Sequence, residues 1–64
     1  MRESIFGILG AHIAEEIEGV HEYHKLANSM EEQGHPDLAH RLHNMAEDEY
    51  RHSEELQDIL NQLA

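Results

Sequence analysis

Glu49 and His52 stand three residues apart in the stretch AEDEYRHSEE, residues 46 to 55, so a helix holding them sets a carboxylate and an imidazole on one turn. Carboxylate oxygen with imidazole nitrogen is the donor set that iron, manganese and zinc accept. Glu16, in the first half of the chain, is the third candidate. Their weight comes from the pattern around them. Leu9, Ile13, Glu16, Val20, Tyr23, Ala27 and Met30 alternate spacings of four and three, and so do Leu38, Leu42, Met45, Glu49, His52, Leu56, Ile59 and Leu63. Twelve of these fifteen seam positions are apolar or tyrosine, and the exceptions are Glu16, Glu49 and His52. Burying a lone carboxylate costs several kcal/mol unless it takes a proton or meets a cation. Arg2, Lys25, Arg41 and Arg51 all fall outside the two seams, which leaves a bound metal as the economical neutraliser.

The elements that must position these groups are two amphipathic helices. Gly34 and Pro36 punctuate the chain as a helix stop followed by a helix start. The expected fold is all-α: a single-domain antiparallel hairpin with one helix near 5–32, a turn at 33–36 and a second helix near 37–63. Folding about residues 34 and 35 sets position 16 opposite position 53, next to His52 and about one helical turn from Glu49. One chain then offers two carboxylates and one imidazole, too few to close an octahedral site, and leaves its apolar stripe uncovered. A second hairpin related by a twofold axis repairs both, giving a four-helix bundle whose centre holds four Glu and two His, the inventory of ferritin-like di-iron bundles. Four carboxylates balance two ferrous ions.

Composition agrees with a cation-binding role. The 64 residues carry a formal net charge of −10, with fourteen acids against four Lys and Arg, which repels nucleic acid and anionic membranes. Seven histidines are many for this length, and the absence of cysteine excludes disulfides, thiolate metal sites and cysteine nucleophiles. The opening MRESIFGILGAHIA is interrupted by Glu3 and His12, so it is not expected to act as a secretory segment, and no window approaches a membrane span. A soluble, cytoplasmic protein is expected. A chain this short needs a metal or a partner to supplement its core. His21 with His24 and His40 with His43 flank the turn and could approach each other across the hairpin; solvated histidines are the commoner outcome. Asp48 could orient an imidazole, although solvent exposure is its ordinary state. Gly19 is an interior helix glycine that costs about 1 kcal/mol against Ala, and it would let a neighbouring element come close.

Glu16-x6-Tyr23 followed by Glu49-x-x-His52 resembles the ferritin-like superfamily pattern, and AEDEYRHSEEL is similar to the corresponding helix of rubrerythrins. The rubredoxin cysteines and the second helical pair are missing, so the chain resembles more closely the encapsulated ferritins, half-ferritins whose ferroxidase centre is shared across a dimer. That resemblance implies Glu16, Glu49 and His52 as catalytic iron ligands, Glu49 bridging two irons per dimer, Tyr23 beside the centre, and Glu15 and Glu18 at the metal entrance. It implies Fe(II) and O2 as substrates, with zinc, manganese or calcium as substitutes at the site, a role in iron storage or detoxification, and homodimers assembling into decameric rings. Residence inside an encapsulin-type compartment belongs to the same expectation, although the residues after Asn61 do not resemble a shell-targeting tail. The competing expectation from the same residues is a zinc- or manganese-stapled dimerisation module without turnover.

Overall fold

The computed structural model describes residues 4–64. Two α-helices, α1 (Ile5–Glu32) and α2 (Pro36–Leu63), form an antiparallel hairpin, and among the described residues there is no strand. Ser4 caps α1, its side-chain oxygen accepting a hydrogen bond from the Gly7 N–H at 3.1 Å. The other end of α1 closes in a double bond pattern: the His35 N–H donates to the Met30 carbonyl at 2.9 Å and the Gly34 N–H to the Glu31 carbonyl at 3.1 Å. Gly34 takes φ +87°, the left-handed conformation that this closure requires and that a side chain would oppose. Pro36 then opens α2, where a backbone donor would have had no partner.

The inner face of α1 is the one its spacing predicts, since Leu9, Ile13, Glu16, Val20, Tyr23 and Met30 are half-buried and Ala27 is fully buried. On α2 the structure differs from the expected seam. The surface pressed against α1 carries Ala39, Ala46 and Ser53, all buried, with Leu42, His43, Glu49, Leu56 and Leu60 half-buried around them. Small residues every seventh position let the two helix axes approach closely, and the Ser53 hydroxyl is satisfied by donating to the Tyr50 carbonyl at 2.6 Å. The large residues assigned to that seam, Leu38, Met45, Ile59 and Leu63, instead lie along the flank with 43–50% of their surface exposed, and His52 lies with them.

The hairpin measures 48 × 23 × 10 Å, and its smallest dimension is one helix diameter. A slab one helix thick buries residues only along the line where its two helices touch. Its flanks therefore stay open, one of them strongly apolar. A shallow groove of about 240 Å³ runs along that flank between Leu26, Met30, Leu38, Arg41, Leu42 and Met45.

Candidate metal centre

The hairpin brings Glu16, Glu49 and His52 together. Each offers one ligand atom, and the three atoms all lie within 4.8 Å of one another. His52 Nδ1 is 3.6 Å from Glu16 Oε2, too far for a hydrogen bond. Two donors on a single ion at about 2.1 Å would be separated by roughly 3 Å in cis and 4.2 Å in trans, so this spacing suits a shared ion better than a direct bond. Glu16 Oε2 is buried and has no hydrogen-bond partner. A buried acceptor left unpaired is costly, and either a cation or a proton held between Glu16 and Glu49 would relieve it.

Gly19 completes the cradle. A Cβ at that position would stand 2.7 Å from Glu49 Oε2 and 3.4 Å from its carboxyl carbon, so the missing side chain is the space the Glu49 carboxylate occupies. The register that places Glu16 against His52 places Gly19 against Glu49. The sequence offered the glycine as a site of close approach, but it did not identify the neighbour as a ligand carboxylate.

Glu49 is held above the ordinary carboxylate value of 4.5. The largest cause is the hydrogen bond its protonated form makes with the Glu16 carboxyl, followed by burial and by the charges of Glu16 and Asp48, with His52 pulling the other way. Two carboxylates are thus crowded into one place at a cost to the metal-free protein. That is the electrostatic arrangement of a site prepared for a cation.

The remaining expected residues are dispersed. Glu15 and Glu18 are exposed on α1, and Glu15 Oε2 lies 3.8 Å from His12 Nδ1 at the surface. Tyr23 is half-buried about two helical turns from Glu16 and lines an open groove with Glu22, Lys25, Leu26 and Ser29. Asp48 is bound to Arg51 Nη2 at 2.6 Å, which accounts for one of the chain's few cations at the surface. No helix among the described residues is long and apolar enough to cross a membrane.

A family model described as Rubrerythrin matches residues 7–64, which takes in both helices and all three ligand candidates. The chain belongs to the rubrerythrin family. Rubrerythrins are ferritin-like, iron-binding redox proteins, and that coarse description extends to this member, whose Glu/Glu/His group is a candidate metal site. No curated protein and no solved structure is similar enough to add a named relative.

Proposed function

We propose that this rubrerythrin-family hairpin pairs with a second copy and oxidises Fe(II) with O2 at a centre assembled between the two chains, as encapsulated ferritins do. The observation that carries the reading is the buried, unpartnered Glu16 Oε2 facing Glu49 and His52 beside an uncovered apolar flank. One chain supplies three donors; two chains supply four carboxylates and two imidazoles, and the apolar flank finds a cover in the same step. The accessible surface is 5065 Å², against about 4,200 Å² expected for a folded monomer of this mass. The excess is close to the roughly 800 Å² that one partner contributes to a standard interface.

Fe(II) is the substrate, and O2 accepts the two electrons that a pair of Fe(II) ions gives up. Glu16 and Glu49 hold negative charge where the cation gains positive charge, which favours the harder Fe(III) product. His52 adds a neutral nitrogen donor, and Glu49, crowded against Glu16, is placed to be shared between two ions. Tyr23 is assigned a place near the centre contributed across the dimer, and Glu15 and Glu18 are assigned the entrance, where exposed carboxylates raise the local concentration of cations. Iron storage or detoxification is the purpose such oxidation serves. A decameric ring and an encapsulin-type shell are further parts of the same reading.

Anaerobic loading with Fe(II) followed by air tests it. Near-ultraviolet Fe(III) absorbance should grow with stoichiometric O2 uptake, and Glu49→Ala or His52→Ala should abolish both. A colourless complex that takes up no O2 would instead make the residues a zinc or manganese staple holding a dimer without turnover.

A further inference from the structure

His24 and His43 occupy the other flank of the hairpin and face each other across the two helices. Their Nδ1 atoms are 2.7 Å apart, with ring centroids separated by 4.9 Å and planes tilted by 42°. The rings therefore meet edge to edge through nitrogen and are not stacked. Both residues are half-buried, unlike His21 and His40, which lie exposed one helical turn away on the same flank. At about 100° per residue, His24 is turned well away from Gly19 and Leu26 on α1, and His43 from Met45 and Glu49 on α2. The pair also lies about 12 Å along the hairpin from Glu16, counting eight residues at 1.5 Å each. It is separate from the Glu16 group in position, flank and donor type.

We propose that His24 and His43 form a second metal site, which takes a borderline divalent cation of the Zn(II) class through the two Nδ1 atoms. At the observed separation one Nδ1 of a neutral pair donates its proton to the lone pair of the other, so both nitrogens are directed at the space between the rings. Tetrahedral zinc with Zn–N of about 2.05 Å needs its nitrogens roughly 3.3 Å apart. Opening the pair by about 0.6 Å through side-chain torsions reaches that distance without moving either helix. On metal binding the donating ring moves its proton from Nδ1 to Nε2, which frees the second Nδ1 lone pair for the metal. Water would complete the coordination, and exposed Glu47 adds negative charge on the same flank. All-nitrogen donors select zinc, copper or nickel over hard cations, whereas the carboxylate-rich group on the other flank accepts iron. One hairpin thus offers two sites of different hardness.

The test is Zn(II) titration of the full ¹⁵N-labelled chain, following the ring nitrogens of each histidine by NMR. At saturation His24 and His43 should both report coordinated Nδ1 and protonated Nε2, whatever His52 does. Unchanged His24 and His43 tautomers at saturating Zn(II), with His52 alone responding, would overturn the proposal. A second arm uses His24→Gln/His43→Gln, which keeps polar side chains of similar size, with helix content checked by circular dichroism. Equilibrium dialysis should find one Zn(II) fewer per chain than in the parent, while His52→Ala retains that ion. An equal count in the double variant and the parent would overturn the site independently.

Discussion

Gly19 and Glu49 show how one missing side chain sets a functional geometry. The atom nearest an added Cβ is Glu49 Oε2, the far end of a flexible chain, so Gly19→Ala should cost the fold little. Removing a helix-interior glycine contributes up to about 1 kcal/mol in favour of the helix. The two effects separate: the metal-free melting temperature should hold or rise, while Fe(II) or Zn(II) affinity falls by about tenfold or more, the loss expected when a ligand's support is displaced. Calorimetric metal titration beside thermal melts in chelator checks both. The crowded carboxylates give a second outcome. Because the Glu49 pKa is raised in the folded state, the folded protein keeps that proton after the unfolded chain has lost it. The pair's contribution is at its best below pH 4.5 and declines as pH rises through the folded value. Relative to the parent, metal-free Glu49→Gln should therefore gain stability toward neutral pH, visible as a melting-temperature difference that widens with pH. A difference independent of pH would count against the crowding. At this scale Glu16 and Glu49 were legible in the sequence as charge inside an apolar seam, and His52, exposed on the flank, through its spacing of three from Glu49. Gly19 was legible as a place of close approach, but not that its neighbour is the Glu49 carboxylate, because that depends on the register across the hairpin.

The second helix carries two stripes that compete for the name of core. Leu38, Met45, Ile59 and Leu63 are the larger and more apolar, and periodicity alone assigns them to the helix contact. The hairpin uses the other stripe, Ala39, Ala46 and Ser53, because small side chains permit a closer approach of the axes and so more contact along the length of each helix. Alanine and serine contribute little to any hydrophobic pattern, so this choice was hidden in the sequence, whereas the break at Gly34 and Pro36 was plain. Ala46 is wholly buried, and Ala46→Leu should destabilise the hairpin by about 1–3 kcal/mol through overpacking. The same change parts α1 from α2 near the site and should weaken metal binding. Met45→Leu, one position away on the open flank, should leave the metal-free stability nearly unchanged. Urea denaturation of the two variants side by side reads the contrast, and equal losses would mean that both stripes are packed in one chain.

For the whole molecule the thin slab is the governing fact. Two helices side by side cannot cover both flanks, and here one flank is apolar while the other carries histidines. If the apolar flank is the meeting surface of two copies, Met45→Glu should place an uncompensated charge there and suppress dimers, leaving the Glu16, Glu49 and His52 side chains in place within each chain. Sedimentation with and without Zn(II) should show a metal-promoted dimer in the parent and monomers in the variant, and the parent's melting temperature should rise with concentration. A parent that binds metal tightly and stays monomeric would remove the basis for a shared centre. Where the acidic cluster lies along the rods then matters. Glu16 is the twelfth of the 28 residues of α1 and Glu49 the fourteenth of the 28 of α2, so the cluster sits near the midpoint of both. Had it been near a tip, turning one rod end over end against its twin would carry the two clusters to opposite extremities. From the middle they coincide whichever way the twin points, so a single crossing point, and not a choice of direction, is enough to join them.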